Sequence, residues 1–161
     1  MGVGVRVSTP REPSPARSRV AGLARATHLP PAVAVTAVAV LLAVAAGVGP
    51  GRTALVGIAV LAGQVSIGWC NDWLDADRDR AVGRPDKPVV QGVVTPATLR
   101  AAAVAGLLAS VVLSLLLGVV PGLLLLVLVA SGWVYDLGLK RTAVSVVPYL
   151  CLLYTSDAAD E

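Results

Sequence analysis

Four long apolar runs separated by short loops constrain this chain more than any other feature. They cover about Leu29–Val48, Thr53–Asn71, Thr98–Val120 and Gly122–Leu139, and a fifth opens at Val144. Each of the four is long enough for the roughly 17–25 helical residues that crossing a bilayer core requires. The chain has 161 residues, 56% of them hydrophobic, and a mean hydropathy of +0.78. Those values exclude an ordinary soluble domain and predict an all-α, polytopic membrane protein. The loops Gly47–Arg52 and Gly118–Gly122 carry Gly and Pro and read as tight helical-hairpin turns. Ala, Gly and Ser in the first and third runs permit close helix contact in lipid.

Charge is confined to particular loops. Arg52 alone lies between the first two runs, and nothing charged lies between the third and fourth. Arg78, Arg80, Arg84, Lys87 and Arg100 lie between the second and third, and Lys140 and Arg141 follow the fourth. The N-terminal segment adds Arg6, Arg11, Arg17, Arg19 and Arg25 among Pro and Ser. Basic loops stay on the cytoplasmic side, so the N-terminus, the loop after the second run and the Lys140 loop are expected there, in the plasma membrane. Residues 1–28 read as a basic, disordered cytoplasmic tail rather than a signal peptide.

The second run ends in Asn71–Gly92, NDWLDADRDRAVGRPDKPVVQG. Carboxylates at the end of an apolar span are costly unless they do something, such as hold a metal ion. At about 100° per residue, Asp72, Asp75 and Asp79 share one helix face, with Asn71 beside them and Asp77 turned away. Three carboxylates and an amide oxygen facing one cavity are hard ligands suited to Mg²⁺, which uses one or two carboxylates together with substrate phosphates. A calcium loop through Asp75, Asp77 and Asp79 fails, because Arg80 stands where that loop needs Gly. Arg80, Arg84 and Lys87 follow within one loop. They would neutralise a diphosphate, and Pro85 and Pro88 stiffen the backbone around the last two. His28 cannot make a metal site alone and reads as an interfacial anchor. Trp69, Trp73 and Trp133 read as interfacial or packing residues.

The pattern N-D-x-x-D-x-x-x-D followed by D-R-x-x-x-R-P, carried by Asn71, Asp72, Asp75, Asp79, Arg80, Arg84 and Pro85, resembles the first aspartate-rich motif of the UbiA-type intramembrane prenyltransferases. Tyr135 and Lys140, in GWVYDLGLKR, resemble the family's Tyr and Lys beside the diphosphate, and Asp136 next to Tyr135 is also common in relatives. The resemblance covers residues 29–150, the N-terminal part of a domain of about nine transmembrane helices. It implies transfer of an isoprenyl group from an isoprenyl diphosphate to an aromatic or lipid acceptor within the bilayer, dependent on Mg²⁺. Asn71, Asp72, Asp75 and Asp79 would hold the metal. Asn71, Arg80, Arg84, Lys87 and Lys140 would hold the diphosphate, with Asp72, Asp75, Tyr135 and Lys140 acting catalytically. The partners expected are those two substrates and lipid, not nucleic acid. Two alternatives stay open: a terpene cyclase of the same family, and a non-enzymatic membrane scaffold.

Cys151–Glu161, CLLYTSDAADE, matches one translated frame of a transposon adapter end used in preparing sequencing libraries. We read residues 151–161 as adapter-derived, with the native frame continuing past Leu150. Removing its three acids, Asp157, Asp160 and Glu161, moves the formal charge from +3 to +6. The family's second aspartate-rich motif would lie in that continuation, so the 161-residue chain alone is expected to be inactive.

Overall fold

In the computed structural model, residues 15–142 are described, and they are all-α, with no strand among them. The helices are α1 (Pro15–Arg25), α2 (Leu29–Ala45), α3 (Pro50–Leu74), α4 (Ala76–Ala81), α5 (Pro96–Leu116) and α6 (Val119–Leu137), followed by a 3₁₀ turn at Leu139–Arg141. The fifth apolar run and the segment 151–161 lie outside the described residues.

Proline marks the helix starts. α2, α3 and α5 each have Pro in the first helical positions, where its missing N–H removes no intrahelical bond. At α5 the Thr95 hydroxyl also caps the helix, accepting from the Thr98 N–H at 3.1 Å. The two hairpin turns are as tight as expected. Gly47 (φ 70°) and Gly118 (φ 101°) take backbone conformations that favour glycine, so α2 folds back into α3 and α5 into α6.

Three helices are long and apolar enough to cross a membrane: α3, α5 and α6. α2 has only 17 residues. It qualifies as a fourth span only when joined to the end of α1 across a 63° bend. The structure thus places a helix over the second half of the segment expected to be a disordered tail. That helix is held by packing from elsewhere in the chain. Leu23 and Ala26 rest against a cluster of Ala76, Val89, Val94 and Leu99, and Trp69 Nε1 donates to the Leu23 carbonyl at 2.9 Å.

α3 lies at the centre, touching α2, α5 and α6. Small residues allow this. A Cβ at Gly68 would stand 2.6 Å from the Thr27 carbonyl oxygen, and one at Gly63 would collide with Val129. Trp133 Nε1 donates to Ser66 Oγ (3.1 Å) and Ser110 Oγ to the Ala59 carbonyl (3.0 Å), so these buried polar atoms are satisfied between helices. Large apolar side chains on α2, α5 and α6, among them Leu41, Leu116 and Leu124, point outward as a lipid-facing surface should.

Candidate functional site

The polar motif does not continue α3 as one helix. α3 stops at Leu74, Asp75 takes φ −91° and ψ 1°, and α4 restarts at Ala76. The expected single face is therefore split at its middle carboxylate, and Asn71, Asp72 and Asp75 turn toward different neighbours. Loop residues 82–95 fold back over this break, burying Pro88 and Val89.

Asp72 is 1% exposed. Its Oδ1 accepts from Lys87 Nζ at 2.6 Å and stands 2.8 Å from His28 Nε2. Lys87 Nζ is also 3.1 Å from His28 Nε2. One ring nitrogen cannot both donate to Asp72 and accept from Lys87, so the tautomer of His28 selects one contact. His28 sits between α1 and α2 at φ 52°, a left-handed conformation uncommon outside glycine. Its chain neighbour Thr27 packs on Gly68, which seats the ring over the end of α3.

The second group joins α3 to α6. Asn71 Nδ2 donates to Asp136 Oδ1 at 2.8 Å. Lys140 Nζ donates to Asp75 Oδ2 at 2.7 Å and lies 3.5 Å from Asp136 Oδ1. Arg141 approaches Asp75 Oδ1 at 3.7 Å. Asp79 is buried, and its carbonyl accepts from the Arg84 N–H at 3.0 Å.

Two of the expected diphosphate ligands turn elsewhere. Arg80 pairs with Asp77 at 2.7 Å, and Arg84 forms a two-pronged pair with Asp86 at 3.0 and 2.9 Å. All four of these side chains are exposed, and the i+3 and i+2 spacings give each Arg an acid partner within its own segment. Hydrogen bonding to Arg84 holds the Asp86 carboxyl below its ordinary range and raises the guanidinium in turn. Lys87 and Lys140, in contrast, meet Asp72 and Asp75 directly. Tyr135 and Asp136 stand at the same end. Sequence reasoning had no site role for His28, and it noted Asp136 only as a neighbour of Tyr135. Contacts spanning 44 and 65 residues bring those two in, and no local pattern announces them.

A cavity of about 680 Å³ opens between α2, α3 and α6. Val35, Val38, Leu42, Leu125 and Leu128 form its apolar wall, and His28, Asn71, Tyr135 and Asp136 form its polar end. Asp72, Asp75, Lys87 and Lys140 stand just behind that end, through contacts to His28, Asn71 and Asp136.

Among the described residues, no group of three or more His, Cys, Asp or Glu side chains is gathered closely enough to hold a metal ion by itself. The donor chemistry nonetheless suits Mg²⁺ brought with a phosphate ligand. Asp72 Oδ2, Asp75 Oδ1 and Asp136 Oδ2 are buried oxygens with no hydrogen-bond donor. Buried polar atoms are normally satisfied, and hard cations that keep most of their shell for substrate use one or two such oxygens.

No curated protein and no solved structure gives a significant match to this chain. A family model, described as the UbiA prenyltransferase family, matches residues 32–154, which include α3, α6, the motif loop and nearly all of α2. With that match spanning most of its length, the chain belongs to the UbiA prenyltransferase family.

Proposed function

We propose that this protein transfers an isoprenyl group from an isoprenyl diphosphate to a hydrophobic acceptor, aromatic or lipid, within the membrane and with Mg²⁺. The observation that carries the reading is the cavity, an apolar pocket between α2, α3 and α6 whose polar end, at His28, Asn71, Tyr135 and Asp136, adjoins the aspartate motif. Such a cavity suits a substrate with an apolar tail and an anionic head.

The head would lie at the ends of α3 and α6. Asp72, Asp75 and Asp79, with Asn71, are the residues proposed to hold Mg²⁺, which when bound supplies electrostatic stabilisation of a departing diphosphate. Lys87 and Lys140 stand beside those carboxylates and would neutralise the phosphate oxygens; Arg80 on α4 and Arg84 on the loop would join them on leaving Asp77 and Asp86. Tyr135, on the cavity wall, would donate its O–H to the leaving oxygen. The carbon–oxygen bond to the diphosphate breaks with its electron pair leaving on oxygen, and the acceptor's nucleophilic atom forms the new bond to the allylic carbon and gives up its proton, which the released diphosphate takes. The apolar wall keeps water from that carbon, and no covalent bond to the enzyme is needed.

Arg78, Arg80, Arg84, Lys87, Arg100, Lys140 and Arg141 cluster toward the motif end, against Arg52 at the other. That asymmetry supports placing the site on the cytoplasmic face of the plasma membrane.

The test uses the protein in membrane vesicles, with labelled isoprenyl diphosphates. Label should enter a lipid-extractable acceptor adduct, with pyrophosphate released. Both should stop with EDTA and return with Mg²⁺. A cyclised hydrocarbon as sole product would move the protein to the cyclase branch, and no consumption of any diphosphate would overturn the proposal.

A further inference from the structure

The carboxylates at the end of α3 are already neutralised by the chain's own cations. Lys87 Nζ lies 2.6 Å from Asp72, and Lys140 Nζ lies 2.7 Å from Asp75 and 3.5 Å from Asp136. In each carboxylate one oxygen is taken, and the other, buried, has no hydrogen bond. The open oxygens face opposite requirements. They suit a positive partner, which Asp75 Oδ1 has in part from Arg141 at 3.7 Å and Asp72 Oδ2 does not, yet a divalent cation reaching them alone would meet an ammonium on the same carboxylate. A diphosphate changes that balance. It offers oxygens to which the ammonium can move, leaving the carboxylate to the metal. Lys87 is the tighter of the two lysine pairs, its residue only 9% exposed against a carboxylate 1% exposed. It also sits on loop residues 82–95 rather than within a membrane-spanning helix.

We propose that Lys87 is a specificity-determining residue that bars free divalent cations from Asp72 and admits them only together with a diphosphate. This rests on the site reading given above and adds an order to it: metal and diphosphate bind as one unit.

The experiment measures Mn²⁺ binding by electron paramagnetic resonance, on full-length protein in nanodiscs, with Mn²⁺ alone and with inorganic pyrophosphate. The unmodified protein should bind Mn²⁺ at least ~10-fold more tightly with pyrophosphate than without. Lys87→Met should raise affinity for Mn²⁺ alone by at least ~10-fold, since it leaves a buried carboxylate without its counter-charge, and should shrink the pyrophosphate effect. Lys87→Arg, which keeps the charge, should retain the unmodified pattern. Lys87→Gln is the second neutral variant should the Met form fail to fold, with the same expected direction. A merely structural lysine would lower both affinities together when replaced. If neutral variants bind Mn²⁺ alone no more tightly while the unmodified protein keeps its pyrophosphate dependence, this proposal fails and the site reading stands. If the unmodified protein binds Mn²⁺ alone as well as with pyrophosphate, the gating role fails. If it binds Mn²⁺ under neither condition, both readings fall.

Discussion

The two ends of the helical bundle solve the problem of terminating membrane helices in opposite ways. At the turn end, α2 meets α3 and α5 meets α6 through a few residues around Gly47 and Gly118. Among the described residues the only charge there is Arg52, whose Nη2 donates to the Leu117 carbonyl at 2.7 Å. At the motif end, α3 breaks at Asp75, and loop residues 82–95 fold over the break. There the buried groups Asp72, Lys87 and Asp136 are drawn together with Asp75 and Lys140, and Asp79 is buried on α4. The first end is economical and could serve any helical hairpin. The second buries charge that stability alone does not call for, since buried ion pairs are often matched or exceeded by apolar replacements. That difference supports the reading of the motif end as the functional one, on grounds separate from the family match.

The largest effect should come from Asp72→Asn. The amide removes the partner of Lys87, leaving an ammonium buried without a counter-charge, and removes a proposed metal ligand. Turnover should fall by at least ~100-fold, in the range seen when a principal electrostatic stabiliser is lost. Asp77→Asn is the matched control five residues away. Its side chain is 99% exposed, so turnover should stay near that of the unmodified protein and stability should shift by no more than about 0.5 kcal/mol. Equal losses in the two variants, measured as isoprenyl diphosphate consumption, would erase the distinction between buried and exposed carboxylates on which the site rests.

The sequence carried some of this contrast and not the rest, for physical reasons. The helical spans were legible because apolar runs of that length have few other uses, and Pro at the helix starts sharpened their boundaries. The hairpin turns were legible through Gly and Pro. α1 was not. Its Arg, Ser and Pro composition reads as disordered, and its helix is held by contacts from Leu23 and Ala26 to residues beyond position 68. The break at Asp75 escaped because helical-wheel reasoning assumes that the helix continues. Lys87 was legible from its loop, and Lys140 from its resemblance. The inward pull on His28 was not, since a lone His beside a span carries no local sign of a carboxylate 44 residues away. Arg80 and Arg84 take their proposed diphosphate role from the motif alone, and what the motif does not announce is that each is paired with a neighbouring acid on the surface.

Glycine gives a second comparison, with a smaller effect. At the motif end, Gly68→Ala would put a methyl group 2.6 Å from the Thr27 carbonyl oxygen and 2.8 Å from its carbon. Backbone cannot yield as a side-chain tip can, so α1 and α2 would have to move, taking His28 from Asp72. The cost should be about 1–3 kcal/mol. At the turn end, Gly51, within the first turn of α3, has no atom within 4 Å of an added Cβ. Gly51→Ala should be neutral or stabilise by about 0.5–1 kcal/mol through helix propensity. Thermal unfolding in nanodiscs checks both, and a Gly68→Ala variant as stable as the unmodified protein would show that the α1–α2 junction is not pinned against α3.

The smallest effect belongs to Arg52→Ala, and it tests whether the turn end is as simple as it looks. Arg52 donates to a carbonyl at the C-terminal end of α5, one of the groups that a helix leaves without an internal partner, and its positive charge complements the negative end of the helix dipole. The side chain is exposed, so water can replace much of what it gives. The loss should be about 1 kcal/mol or less, read as a modest drop in thermal stability, with prenyl transfer unchanged. Because Gly118 follows that carbonyl at φ 101°, the turn keeps its shape without the arginine. A fall in turnover approaching that of Asp72→Asn would mean that the turn end takes part in substrate handling, and the division of labour between the two ends would have to be redrawn.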